Sequence, residues 1–247
     1  TMKNLKKIPF ILSILSFLTI FTSANAEIKV VASIKPIHSL ASYLMDGVGK
    51  PDLIVDGYAS PHGFALKPSH AKMLQEANLI FWVGEGLENF LEKPLKSIAK
   101  NAEKIELMEI KGLTKLKFRE RNIFDGHDDH GHDDDGHKED GHDDHGHDDD
   151  GHEGHAHGEY DPHIWLDPEN AKVILNEMVE HLIENDEKNA SIYKSNLNKA
   201  LKDIDGLLKS VKSELNKDFK SIVFHDAYQY FEVRFNVTVL GAFTVNT

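Results

Sequence analysis

Leu79-Ile80-Phe81-Trp82-Val83-Gly84 is a run of five apolar residues closed by a glycine, with helical patterns before and after it. A short continuous apolar run between turn signals reads as a strand buried on both faces, as in a parallel sheet covered by helices. Working outward, residues 69–77 are helical in spacing with Pro68 and Ser69 near the start, and residues 87–99 repeat a helical pattern. Residues 28–32, 53–55 and 104–108 supply further strand-like runs, and 37–44 a further helix. Strands alternating with helices of this length predict βαβ units, hence an α/β lobe built on a parallel sheet flanked by helices.

Past residue 160 the pattern changes. Pro168 and Glu169 open a helix predicted to run to about residue 185, and a second helix is predicted over 189–215. In the latter, Tyr193, Leu197, Leu201, Ile204, Leu208, Val211 and Leu215 recur at steps of three or four, one apolar stripe along a helix. Such a stripe belongs either to a coiled-coil dimer or to a long helix lying across two lobes. A single seam over few heptads, with a new strand at 221–224 just beyond it, favours the long helix and a monomer. A short helix at 227–233 and a strand at 237–240 begin a second lobe. The predicted organisation is a signal peptide at 1–26, an N-terminal lobe at 27–186, a rigid linking helix at 187–216 and the start of a second lobe at 217–247. Two strands do not make an independently stable sheet, so an incomplete second lobe and a C-terminally truncated chain are expected.

The charge sits apart from this framework. Residues 125–159 hold 15 of the 41 Asp and Glu and one of the 28 Lys and Arg, so the body is nearly neutral and the net charge of -13 is a property of this tract. The body shows no basic stripe for nucleic acid. Within the tract stand ten of the 16 histidines: His127, His130, His132, His137, His142, His145, His147, His152, His155 and His157. A fifteen-residue pattern starting at Gly126 restarts at Gly141 almost letter for letter. A glycine at every fifth residue with Asp between forbids a stable helix or strand, and a solvated loop is expected. Neutral imidazole suits zinc, copper and nickel, and surrounding carboxylates attract any divalent cation. The competing reading is a soluble acidic spacer.

The N-terminus addresses the compartment. Lys3, Lys6 and Lys7 precede an apolar run over 8–21, and Ala24-Asn25-Ala26 has the small-x-small form of a signal-peptidase site, so a mature chain from Glu27 is expected. A run of fourteen residues falls short of the ~20 that span a bilayer, which argues against a permanent membrane anchor. The absence of cysteine excludes disulfides, thiolate metal sites and a lipid-modified cysteine. Retention in a periplasm is the expectation.

Three histidines outside the tract sit in strand-to-helix connections or just past strand ends, where α/β folds place chemistry. His62 follows the second strand, His163 lies in Asp161-Pro-His-Ile-Trp-Leu-Asp-Pro168, and His225 follows the first strand of the second lobe. Converging in a cleft, three imidazoles select zinc over manganese or calcium, and a tetrahedral ion needs one further ligand or a water. Asp161, Asp167 and Asp226 are candidate outer partners that fix an imidazole tautomer. His38, His70 and His181 are read as bystanders, and Trp82 and Trp165 as core.

On these residues the chain resembles the zinc-binding periplasmic component of an ABC importer, the ZnuA type among the metal-binding solute receptors. The resemblance is carried by Ala32-Ser-Ile-Lys-Pro-Ile37, Ser60-Pro-His-Gly-Phe-Ala-Leu-Lys-Pro-Ser69, Ala77-Asn-Leu-Ile-Phe-Trp-Val-Gly84, residues 161–168, Phe224-His-Asp-Ala-Tyr-Gln-Tyr-Phe231 and Gly241-Ala-Phe-Thr-Val-Asn246. It implies that His62, His163 and His225 hold zinc between two lobes, that the loaded protein docks on an ABC-type permease whose ATPase drives uptake, and that no catalysis is involved. His225 stands where manganese members carry a carboxylate, which points to zinc. Some zinc receptors place a glutamate before the first ligand; here that residue is Pro61, and the fourth ligand is unassigned. The alternatives are a stand-alone zinc buffer or chaperone, and a zinc hydrolase, against which the lack of a His-Glu-x-x-His pairing counts.

Overall fold

The computed structural model describes residues 27–119, 158–216 and 218–244. The expected signal peptide and all ten tract histidines lie outside the described residues.

The first half folds as β1 (Val30–Ala32), α1 (Lys35–Leu44), β2 (Asp52–Leu53), α2 (Pro68–Glu76), β3 (Leu79–Trp82), α3 (Glu85–Ser97) and β4 (Glu103–Glu106). The four strands are parallel in the order β2-β1-β3-β4. Every residue of β3 is buried, so the uninterrupted apolar run marks a central strand with a neighbour on each edge. Proline stands in the first turn of both α1 and α2, where its fixed φ is pre-set for a helix and its missing N–H would have had no partner. Two predicted strands differ in extent. The run at 104–108 leaves the sheet at Glu106, because residues 107–109 curl into a 3₁₀ turn that buries Leu107. The strand expected at 53–55 is only two residues long, although Ile54 and Val55 still donate their N–H groups to Ala32 O and Ser33 O at 3.1 and 2.8 Å.

After the histidine-rich tract, α4 (Pro168–Asn185) starts on Asp167, whose carboxylate accepts the Glu169 N–H. Next comes α5 (Ala190–Glu214), 25 residues and therefore about 37 Å long. Its stripe faces inward: Tyr193, Ala200 and Leu208 are buried, and Leu197, Leu201 and Ile204 pack against the core alongside α1 and α4. Asn196 on α5 donates to Leu44 O and Asp46 O at 2.8 and 2.9 Å, satisfying carbonyls at the end of α1. The apolar seam is thus occupied within the chain from Tyr193 to Leu208.

Beyond α5, β5 (Lys220–His225), α6 (Gln229–Phe235) and β6 (Thr238–Thr244) form a second unit in which the two strands pair in parallel. Exposure alternates along β5, so Phe224 points outward and His225 points in. The fold is α/β, with parallel sheets flanked by helices and the long α5 joining the lobes.

One buried acid ties the first lobe together. Glu88 is fully buried in the first turn of α3 at a non-helical φ/ψ of -116°/51°, where it accepts hydrogen bonds from Ser33 Oγ and from Gly84 N at 2.9 Å. Ser33 follows β1 and Gly84 follows β3, so a single carboxyl links the carboxyl ends of adjacent strands. Gly84 has φ +149°, and an added Cβ would lie 2.8 Å from Glu106 Oε1, so only glycine fits this turn. Loss of hydration pushes the Glu88 carboxyl up to about 7 from its ordinary 4.5, against the opposing pull of the Ser33 and Gly84 hydrogen bonds. Between those values the folded state holds a proton that the unfolded chain has released, so stability falls as pH rises from 4.5 to about 7, by about 3 kcal/mol from this group. Glu88→Gln is expected to flatten this part of the stability profile; equal slopes for parent and variant in urea unfolding at pH 5, 6, 7 and 8 would rule the assignment out.

Candidate metal centre

Three separate elements deliver the three histidines. His62 occupies a 3₁₀ turn, Pro61–Gly63, whose N–H is accepted by Ser60 Oγ at 3.3 Å and which packs against α3. His163 precedes the 3₁₀ turn Ile164–Leu166 that leads into α4, and His225 ends β5. One ring nitrogen from each comes within 4.8 Å of the other two. The ring centroids lie 5.7 Å (62 to 163), 5.1 Å (62 to 225) and 5.2 Å (163 to 225) apart, each pair tilted or edge-on. His163 Nε2 and His225 Nε2 are 3.3 Å apart. Two nitrogens bound to one tetrahedral zinc at ~2.0–2.1 Å sit roughly 3.4 Å apart, so this pair already has the spacing of a coordination edge.

The proton on His163 is placed by its neighbour. Asp161 Oδ1 accepts from the His163 backbone N–H at 2.9 Å and lies 2.7 Å from Nδ1, with both residues buried. A carboxylate can only accept, so Nδ1 carries the hydrogen and Nε2 turns its lone pair toward His225. The Trp165 ring walls this imidazole edge-on at 5.3 Å, so this tryptophan borders the site as well as touching the core. Burial and then the neighbouring His163 hold His225 below the usual imidazole value, with Asp226 and Asp161 pulling the other way.

The other two predicted outer partners are placed differently. Asp167 caps α4 and receives a two-pronged contact from Arg234, Nε to Oδ1 and Nη2 to Oδ2, both 2.6 Å. Asp226 neighbours His225 and lies 4.0 Å from Arg119 Nη2. Neither makes a hydrogen bond to an imidazole among the described residues, so Asp161 alone has the expected contact. No carboxylate joins the three imidazoles within the same radius among the described residues.

The remaining described histidines are engaged elsewhere. His38 Nε2 lies 2.9 Å from Pro51 O, and His70 Nδ1 accepts the Lys67 N–H at 3.1 Å at the start of α2. His181 sits among Glu103, Glu177 and Glu184 on the far end of α4. The stem of the histidine-rich tract is closed by an antiparallel bridge between Lys117 and Tyr160, directly before Asp161 and His163. This bridge and the buried Tyr230 beside it had no signal in the periodicity.

The sequence profile of ZnuA, described as zinc-uptake complex component A, periplasmic, matches residues 30–247. The chain belongs to that family. The high-affinity zinc uptake system protein ZnuA of Brucella abortus (strain 2308) is 46% identical over 253 residues, covering 99% of this chain and 76% of that protein. The ZnuA of Yersinia pestis is 36% identical over 228 residues, covering 90% and 67%. Among solved structures, a crystal structure of ZnuA aligns with a TM-score of 0.65 at 22% identity, covering 87% of this chain and 69% of that one. A zinc-bound ZnuA deletion mutant gives 0.64 at 23%, covering 88% and 72%. A manganese-bound periplasmic metal-binding protein from Candidatus Liberibacter asiaticus gives 0.61 at 18%, covering 85% and 67%. These structural likenesses speak to the ZnuA fold, and metal preference is a matter for the ligands. No helix among the described residues is long and apolar enough to cross a membrane.

The His225 environment sets a titration. In the zinc-free chain its ring is expected to titrate below pH 6.5, and Asp226→Asn, which removes a charge that favours the protonated ring, is expected to lower the midpoint further. Ring-proton NMR checks this; a midpoint raised by Asp226→Asn contradicts the geometry.

Proposed function

We propose that the protein is the periplasmic zinc-binding receptor of an ABC import system and that His62, His163 and His225 are the ligands that hold its cargo. The observation carrying the ligand assignment is the convergence of three imidazole nitrogens from three elements, with one pair at 3.3 Å. Three nitrogen donors, with no carboxylate at the same radius among the described residues, favour zinc over manganese or calcium, which prefer oxygen. The fourth position is open to a water or a further ligand. As in its family, the protein is a receptor that delivers zinc to a permease and its ATPase, and it catalyses no reaction.

The finer organisation is part of the same proposal: a first lobe at 27–186, a linking helix at 187–216, a second lobe from 217, and action as a monomer. Inward packing of the α5 stripe from Tyr193 to Leu208 supports the monomer, because it leaves little seam for a second copy. The tract histidines are assigned to weak capture that raises zinc concentration beside the cleft. Tethering supplies that effect without new contacts, and each site must order flexible chain before it coordinates.

Zinc calorimetry on the mature chain lacking residues 126–158 tests the assignment. One tight site is expected, and it is lost when His62, His163 and His225 are all changed to alanine. Each single substitution is expected to weaken binding by more than the ~10–100-fold that loss of an outer partner costs. A tight site surviving in the triple variant would place the cargo elsewhere.

A further inference from the structure

We propose that α6 is a latch that fixes the spacing of His163 and His225, with Tyr230 and Arg234 as its positioning residues; this rests on the reading that these histidines hold the metal. Tyr230 follows His225 by five residues and is fully buried. Its hydroxyl donates to Asp161 O at 2.7 Å and accepts the Leu116 N–H at 3.0 Å. Asp161 N itself donates to Leu116 O at 2.8 Å, so one phenol closes across both strands of the stem. The carboxylate of the same Asp161 orients His163. One turn further along α6, Arg234 grips Asp167 with two 2.6 Å hydrogen bonds, four residues beyond His163. The segment bearing His163 is therefore held on both sides by the helix that follows His225. Between these anchors Glu232 accepts from Arg119 and from Val239 N at 2.7 Å, which seats α6 on β6.

This circuit is complete without metal. Moving the segment that bears His163 away from the one that bears His225 breaks the Tyr230 and Arg234 contacts, and a bidentate guanidinium–carboxylate pair is the stronger kind of hydrogen-bonded contact. A restraint that keeps a second ligand beside the first acts as a high effective concentration, so its loss shows in release rather than capture.

The test is stopped-flow zinc release from the full mature chain into excess chromogenic chelator. The phase abolished by His225→Ala reports the cleft. Arg234→Gln and Tyr230→Phe, the latter keeping the buried ring, are each expected to speed that phase about tenfold or more, leaving the association rate and the other phases unchanged. Lys172→Ala, which removes an exposed ion pair to Asp205 on α5, is expected to leave the phase at the parent rate. Parent-rate release from Arg234→Gln and Tyr230→Phe overturns the latch while the ligand assignment stands. Acceleration matched by Lys172→Ala overturns it as a general loss of rigidity. If His225→Ala removes no phase, the ligand assignment fails and the latch with it.

Discussion

Bringing ring nitrogens from three separate elements within 4.8 Å of one another is the constraint on which the cleft depends. Neighbouring structure has to hold them, and at this cleft it does so by hydrogen bonding rather than by apolar packing. Asp161 is the pivot, since it fixes the tautomer of His163, orders the backbone around it and offers its own carbonyl to Tyr230. It also places a buried carboxylate one ring away from the proposed zinc position. A dication held by the three proposed ligands would keep its charge uncompensated in a half-buried site, and Asp161 together with Asp226 would supply opposite charge without direct coordination. The proposed ligand set, three nitrogens with no carboxylate at the same radius among the described residues, is one suited to zinc.

The strands determine where such a site is possible. His62 lies in the connection after β2 and His225 at the carboxyl end of β5, the ends at which open α/β sheets leave room for a ligand. The same edge of the first sheet carries Ser33, Gly84 and the buried Glu88, and α3, which holds Glu88, packs against the His62 turn. A carboxyl that is easily protonated at neutral pH is thus part of the platform beneath one ligand.

The framework was legible where one local signal had one meaning. The run at residues 79–83 could only be a buried strand, Pro168 opens α4 where expected, and the α5 stripe packs inward as its single seam suggested. The three histidines stood out through their places in connections or at strand ends together with the family motifs around them, and their convergence belongs to the tertiary fold. Ambiguity arose where one residue type serves two purposes. Asp167 before Pro168 carries a helix-cap signal as well as that of a partner to His163, and the cap, reinforced by Arg234 from 67 residues away, prevailed. Tyr230 was unreadable because its partners are backbone groups of distant residues. Glu88 resembles any acid in a helical first turn; only the tertiary fold turns it inward.

The lobes are connected twice. One connection is α5, held along its length by α1 and α4 and pinned at Asn196. The other is α6, whose Tyr230 and Arg234 reach back to the segment that bears His163. A body joined at a single helix can swing about that helix, whereas one joined at two separated places cannot swing without breaking one of them. Wide opening of the lobes therefore requires loss of the buried Tyr230 contacts and of the partly exposed Arg234–Asp167 pair, and smaller local shifts around the imidazoles would be the cheaper route for an ion to enter. Loading then alters the cleft more than the outline of the molecule. On the proposed ligand set, local ordering near the three histidines is then the difference a permease would read between loaded and empty receptor.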